Sequence, residues 1–316
     1  MILNHVEIEL KSFKRTEKLM GNTFELTVVA NDGKWANQKL ELAINEIRRI
    51  EKLLTTFNEQ SQTNQINQQA GISPVKVEPE VFELIERSIR ISTITDGAFD
   101  ITYGSIDKTL WNFDQSMISL PSEETAKSMV RLIDYKNIIL NKQQLTVMLK
   151  EKGMRIGFGG IGKGYAAEMA KKILINEGVK GGIVNAAGDL TTWGYQPNGK
   201  PWTIGIVNPD HKELPFSYLD VTNMAVATSG NYEKFVEIKG VKYSHTINPK
   251  TGLPITGIKS VTIISPNAEI ADAMATPVTI MGIKAGLTII NQINYLACII
   301  IDDNNKIYTS KNINLR

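Results

Sequence analysis

The sequence predicts an α+β fold: a largely antiparallel mixed sheet flanked by helices, in a single large domain with two lobes. Three observations lead there. Most of the strand-like segments are linked by short turns, which favours antiparallel pairing. A dense glycine cluster, Gly157-Phe158-Gly159-Gly160-Ile161-Gly162-Lys163-Gly164, feeds a helix in mid-chain rather than at the start of a doubly wound sheet. No linker, repeat or low-complexity tract divides the 316 residues, enough for one large core or two smaller lobes.

Residues 1–19 are polar and read as an early strand plus a linker. Met20-Gly21-Asn22 is a turn, and in residues 23–30 the apolar Phe24, Leu26 and Val28 alternate as in a strand. Residues 37–54 place Leu40, Ala43, Ile44, Ile47, Ile50 and Leu54 on one helical face. The stretch 55–71 is polar and reads as a loop, facing solvent or a ligand. Pro79 suits the first turn of a helix that runs to about Thr95, with Gly97 as its stop. Beyond Ala98-Phe99-Asp100-Ile101-Thr102-Tyr103-Gly104 comes Leu110-Trp111-Asn112-Phe113, then a short helix over 121–133 and a hairpin over 137–149. The glycine cluster opens a helix ending at Gly178. Strands follow at 182–187, 202–207, 217–223, 234–239, 243–247, 259–265 and 296–301, with helices at 268–282 and 285–294.

Composition excludes several functions. Apolar content of 42% and charged content of 22% are ordinary for a soluble globular chain. A net charge of +2 gives no case for nucleic acid. The single cysteine, Cys298, rules out an internal disulfide or a cysteine-based zinc site, and three histidines rule out a histidine-rich metal centre. No stretch reads as a membrane span, and no signal peptide is visible. The chain as it stands therefore reads as cytoplasmic, or periplasmic where an export signal has been removed.

The glycine cluster exposes backbone N–H groups at the positive end of a helix dipole, an arrangement suited to phosphate. Gly157, Gly159 and Gly162 satisfy G-x-G-x-x-G, but Asn185 stands near the place of the acidic residue that pattern needs. Residues 157–163 give G-x-x-x-x-G-K, but Gly164 replaces the Ser or Thr of a P-loop. Neither named motif holds. A plain glycine turn that lets a helix pack closely on a sheet remains open beside the phosphate reading.

Asp272 and Thr276 stand four apart on one helix face, a carboxylate and a hydroxyl suited to a hard cation such as Mg2+. The plain alternative is an Asp early in a helix beside a Thr that bonds back to the chain. Pro277 suggests an irregular turn that aims Thr276 outward. Thr228-Ser229-Gly230-Asn231-Tyr232 reads as a compact polar turn. His245 stands among Tyr243-Ser244-His245-Thr246-Ile247-Asn248-Pro249-Lys250-Thr251-Gly252-Leu253-Pro254, either a structural hydrogen-bonding residue or a base beside a phosphate site.

Taken together and in order, Met20-Gly21, Phe99-Asp100-Ile101-Thr102, Gly159-Gly160-Ile161-Gly162-Lys163-Gly164-Tyr165, Asn185…Gly188-Asp189, Thr228-Ser229-Gly230-Asn231-Tyr232, His245…Asn248-Pro249-Lys250-Thr251-Gly252…Pro254 and Ala271-Asp272…Thr276 form a single signature. It resembles the ApbE family, the FAD:protein FMN transferases. The resemblance covers roughly residues 20–310, and implies an ApbE-like domain over 20–316 preceded by an N-terminal strand and linker over 1–19. It implies a Mg2+-dependent enzyme that takes FAD, transfers FMN to a Thr or Ser hydroxyl of an acceptor flavoprotein and releases AMP. It implies FAD contacts at Met20, Phe57, Ala98, Phe99, Asp100, Lys163 and Ile247. It implies metal ligands at Asp272, Thr276 and the Gly160 carbonyl, and a base at His245. The sequence departs from the family pattern at Gly157, where Asp is usual, at Ser105, where Pro is usual, and at Ala187-Gly188-Asp189, where Gly-Gly-Asp is usual. No lipobox is present. Two rivals share the site: a metal-dependent FAD pyrophosphatase giving FMN and AMP, and a flavin-binding protein without turnover.

Overall fold

The computed structural model describes residues 9–110, 117–207, 215–230 and 235–313. The residues Trp111, Asn112, Phe113, Asn231 and Tyr232, singled out above, lie outside them. In chain order the elements are β1 (Lys11–Leu19), β2 (Asn22–Ala30), α1 (Gly33–Leu54), α2 (Gln62–Gln68), β3 (Val75–Lys76), α3 (Pro79–Ile94), a 3-10 turn (Ile101–Ser105), α4 (Glu123–Met129), β4 (Ile138–Asn141) and β5 (Thr146–Leu149). There follow α5 (Gly162–Asn176), β6 (Gly182–Ala186), β7 (Asp189–Trp193), β8 (Trp202–Val207), β9 (Pro215–Val221), β10 (Ala225–Gly230), β11 (Phe235–Ile238), β12 (Val241–Ser244), β13 (Ile258–Ser265), α6 (Ala268–Ile290), β14 (Ala297–Asp302) and β15 (Ile307–Thr309).

The main sheet runs β1-β2-β6-β7-β10-β13-β14-β15, and every described pairing in it is antiparallel. Residues 11–19, expected as strand and linker, form its edge strand. They turn into β2 through Met20 and Gly21, both at positive φ (51° and 70°). Two successive left-handed residues match the twist of a tight hairpin.

One face of the sheet is covered by helices. The stripe Leu40, Ala43, Ile44, Ile47, Ile50 and Leu54 of α1 is buried in the main core, with α5 and α6 beside it. Burying each such Leu or Ile contributes about 1.5–3 kcal/mol relative to leaving it exposed. The β8–β9 ribbon serves the other face, where Trp202, Ile204 and Val221 pack with Val29, Leu190, Val226 and Ile264.

Several expectations need correcting. The polar stretch 55–71 contains a helix, α2, capped by Ser61 and held by buried Thr63 and Asn64, which bond to backbone carbonyls nearby. Thr228, Ser229 and Gly230 are not a turn but the end of β10, paired with β13, where the ladder overrides a turn-like composition. Pro277 does not interrupt α6; the helix breaks instead at Gly282, whose φ of 82° no helix accommodates. Finally, α6 is long and apolar enough to cross a membrane by length and composition. Here it packs on β10, β13 and α5, the position of a core helix.

Cys298 is fully buried in β14, and burial pushes its thiol up to about 12. Because the thiolate is the nucleophile, an alkylating reagent at pH 8 is expected to leave the native chain unlabelled and to label it after denaturation. Rapid labelling of the folded protein would contradict this placement.

Candidate functional site

The glycine cluster shapes a contact between two helices. Gly164, in the first turn of α5, lies against the first turns of α6: a Cβ there would sit 2.2 Å from the Ala268 carbonyl oxygen and 2.7 Å from the Asp272 Cβ. The absent side chain lets the Asp272 carboxylate reach the end of the neighbouring helix, where Oδ2 accepts the Gly164 N–H at 2.9 Å. Gly162 N–H is bound to the Phe158 carbonyl. The N-terminus expected to hold a phosphate is thus closed by the protein's own carboxylate, which takes the place of an external anion at the helix dipole.

Around Asp272 three charges meet. Lys163 Nζ is 3.6 Å from Asp272 Oδ1 and is ion-paired with Asp189, the first residue of β7. Both carboxylates are buried. Burial, and next the charge of Asp189, push Asp272 above the usual carboxylate range, against the pull of Lys163 and the Gly164 N–H. Lys163 is raised: its two carboxylate partners outweigh burial, the largest single cause. The start of α6 is held by two further charged pairs. Glu168 of α5 accepts the Ala268 N–H at 3.0 Å and pairs with Lys171, and Arg87 of α3 grips Glu269 with two bonds of 2.6 and 3.0 Å.

One turn beyond Asp272, Thr276 lines a cavity of about 610 Å3. Its hydroxyl is not spent on a bond back to the helix; among the described residues it has no hydrogen-bond partner, whereas Thr279 bonds the Ala275 carbonyl. Ala98, Phe99, Asp100, Gly160 and His245 line the same space. The Asp100 carboxylate is consumed within the protein: it accepts the N–H and hydroxyl of Thr102 and the Tyr135 N–H, and so caps the 3-10 turn. Burial nevertheless raises it above an ordinary Asp.

The opposite wall is the segment 154–158, clamped side by side. Asn67 accepts the Ile156 N–H at 2.7 Å and donates to its carbonyl at 3.0 Å. Ser105 accepts the Arg155 N–H at 2.8 Å and donates to its carbonyl at 3.0 Å. Gly157 N–H bonds the Ile101 carbonyl. Tyr103 joins the histidine segment to this wall, its hydroxyl accepting the Ile247 N–H at 3.2 Å.

The remaining predicted residues lie elsewhere. Met20 packs at the start of α5, its Cε 3.6 Å from where a Gly162 Cβ would stand. Phe57 is fully exposed, although its neighbour Thr56 lines the cavity. The Ile247 side chain is buried with Met129 and Val130, leaving Thr246 to face the space. Lys163 and Asp272 stand behind the lining. Sequence reasoning gave no role to Asn67, Tyr103, Lys108 or Arg155, and noted Ser105 and Asp189 only as positions in the family pattern; the polarity of 55–71 alone hinted at Asn67.

The oxygen set of Asp272, Thr276 and the Gly160 carbonyl fits a hard divalent cation in its chemistry. A lysine ammonium already leans on Asp272, so the position accommodates positive charge. Among the described residues no group of three His, Cys, Asp or Glu side chains stands ready for a metal. A cation here would draw on hydroxyl and main-chain oxygen instead.

Known proteins share this fold and much of this sequence. The model of the ApbE family matches residues 20–300. A FAD:protein FMN transferase of Klebsiella pneumoniae (strain 342) is 31% identical over 301 residues, covering 94% of this chain and 92% of that one. Another, of Escherichia coli (strain K12), is 29% identical over 271 residues, covering 84% and 77%. The crystal structure of the ApbE protein of Thermotoga maritima superposes with a TM-score of 0.84 at 28% identity, covering 95% of this chain and 97% of that one. The apo flavinyl transferase ApbE of Pseudomonas stutzeri gives 0.83 at 25% identity, covering 99% and 97%.

The contact at Gly164 is expected to be intolerant of any side chain. Gly164→Ala drives a methyl into the Ala268 carbonyl, and separating α5 from α6 should cost about 3 kcal/mol or more. Equilibrium unfolding in denaturant measures this; a variant as stable as the parent would show that the helices are free to part.

Proposed function

This chain belongs to the ApbE family, and on that premise we propose that it is a FAD:protein FMN transferase. It moves FMN from FAD to a Thr or Ser hydroxyl of an acceptor flavoprotein, with Mg2+ as its metal and AMP as the leaving product. The observation that carries the reading is the cavity itself. It gathers Ala98, Phe99, Gly160, Thr276 and His245 from four separate stretches of the chain into one space large enough for a nucleotide.

In this reading each wall has a task. Phe99, with Ala98, Ile101 and Ile156, offers apolar surface to a flavin or adenine ring. Phe57, Met20, Lys163 and Ile247 remain proposed FAD contacts on the strength of the family resemblance. Asp272, Thr276 and the Gly160 carbonyl hold the metal, which when bound neutralises charge on the diphosphate and on the departing AMP. His245 accepts the proton of the acceptor hydroxyl. That oxygen bonds to the FMN phosphorus, and the bond to the bridging oxygen breaks as AMP leaves. Asp189 keeps the Lys163 ammonium beside Asp272 rather than in the cavity.

Two outcomes test the assignments. His245→Asn is expected to lower FMN transfer by about 10²–10⁴-fold, the usual worth of a general base, with FAD affinity unchanged. Mass analysis of the acceptor together with a FAD titration reads both; undiminished transfer would remove His245 from the chemistry. Thr276→Val keeps the volume and deletes the hydroxyl. It should weaken Mg2+ binding measured by calorimetry about tenfold or more, as loss of one oxygen ligand or its partner does. Unchanged Mg2+ affinity would place the metal elsewhere. AMP released without mass gain on any acceptor would favour the pyrophosphatase.

A further inference from the structure

The cavity carries more positive charge than the proposed ligand set uses. Its described ionisable lining is Asp100, Tyr103, Lys108, Arg155 and His245, and the Tyr103 phenol is neutral at ordinary pH. Asp100 has little to offer a ligand, since three donors already occupy its oxygens. Lys108 and Arg155 differ: among the described residues neither side chain has an ion pair or hydrogen bond. Two cations that form no ion pair among the described residues thus face one space, with Asp100 as the one carboxylate of its described lining.

Their placement is fixed by the backbone. Lys108 stands three residues after Ser105, and the Ser105 hydroxyl grips both the N–H and the carbonyl of Arg155. The next residue, Ile156, is held in the same two-bond way by Asn67. The two charges are therefore carried on segments tied directly to each other. At the neighbouring Gly157 a Cβ would meet nothing nearer than Thr56 Cγ2 at 3.7 Å, and φ there is not positive. Glycine at 157 is required neither by the backbone nor by crowding. It leaves the wall beside Arg155 clear of a further side chain.

The glycine loop supplies fewer anion contacts than its sequence suggests, and no formal charge: only Gly159 and Gly160 of the cluster's N–H donors line the cavity without an internal acceptor among the described residues. The Gly162 and Gly164 N–H groups are bound internally, the latter by the Asp272 carboxylate. A diphosphate entering the cavity must find its charge partners among side chains.

We propose that Lys108 and Arg155 form a cationic clamp for the diphosphate of the flavin dinucleotide and set the chain's preference for dinucleotide over uncharged flavin. This rests on FAD being the substrate, as proposed above. Two cations match two singly charged phosphates. The planar guanidinium of Arg155 makes paired bonds to phosphate oxygens, and Lys108 adds a mobile point charge. The apolar lining takes the rings and does not discriminate between the two flavins.

The test measures FAD and riboflavin affinity by flavin fluorescence for the parent chain, Lys108→Gln, Arg155→Gln, the double variant and Arg155→Lys. Both positions are exposed, so none of the substitutions disturbs the core. Each glutamine variant is expected to lose about tenfold in FAD affinity and the double variant about a hundredfold, as charge-assisted bonds to phosphate are worth. Riboflavin affinity should not change, Arg155→Lys should recover part of the loss, and the salt dependence of FAD binding should flatten in the double variant. A double variant that binds FAD like the parent overturns the clamp, as does an equal loss for riboflavin, which marks a structural effect. A parent chain that binds no FAD overturns the reading on which the clamp rests.

Discussion

The Asp272 carboxylate at the N-terminus of α5 is the interaction on which the site depends. It has three consequences at once. It satisfies a helix-end N–H that the glycine cluster leaves without a partner. It draws α6 against α5 closely enough that only glycine fits at 164. It also sets the rotation of α6, so that Thr276, one turn on, faces the cavity while Asp272 itself stays behind the wall. Remove the contact and the proposed metal ligands, the helix pair and one wall of the cavity lose their common reference.

That arrangement buries two carboxylates around one ammonium, which costs stability unless each charge is held. Asp189 and Lys163 pair directly, Asp272 takes the backbone N–H, and the remaining imbalance shows in the raised affinity of Asp272 for a proton. A well-packed apolar trio would be cheaper to fold. Buried acidity of this kind is the condition in which a divalent cation gains most, because the desolvation has already been met in folding and the incoming charge relieves the repulsion between Asp189 and Asp272. The two pairs at the start of α6, Glu168 with Lys171 and Glu269 with Arg87, hold that helix in register against α5 and α3 independently of the metal.

Much of this was legible in the sequence, for identifiable reasons. The α1 stripe, the alternation in β2 and the sharing of a face by Asp272 and Thr276 follow from fixed periods and needed no tertiary information. The family resemblance brought His245, Phe99 and Gly160 together although they are far apart in sequence, and the cavity does contain all three. What failed depended on partners that composition does not display. Thr228-Ser229-Gly230 has the residues of a turn and becomes a strand because β13 pairs with it, residue for residue. Asn67 looked like one polar loop residue among many, yet it is buried and spends its amide on Ile156, 89 residues away. The glycine cluster left an anion cradle and a close-packing turn both open; what decides between them at Gly164 is a carboxylate 108 residues further on. Asp189, the partner of Lys163, stood inside a quoted motif with no feature to suggest a buried charge.

The distribution of burial around the cavity bears on transfer against hydrolysis. Its inner side is rigid and desolvated: Phe99, Ile101 and Ile156 are buried, and the 154–158 segment has its backbone polar groups locked by Asn67, Ser105 and Ile101. Its outer side is exposed, and His245, Lys108 and Arg155 all belong to that side. An enzyme that delivers water to phosphorus gains from enclosing its site, since excluding bulk solvent strengthens the electrostatic interactions inside it. An enzyme that delivers a hydroxyl carried on another protein cannot enclose it, because the acceptor chain must reach the phosphorus with its own backbone attached. On the proposed function, His245 as base on the open rim and a nucleotide anchored on the closed wall satisfy that requirement, and docking of the acceptor would supply the desolvation that the free site lacks. On the proposed function the exposed rim would then be the half of a composite active site that the acceptor completes, and the protein substrate, not the flavin, would decide how fast the bond is made.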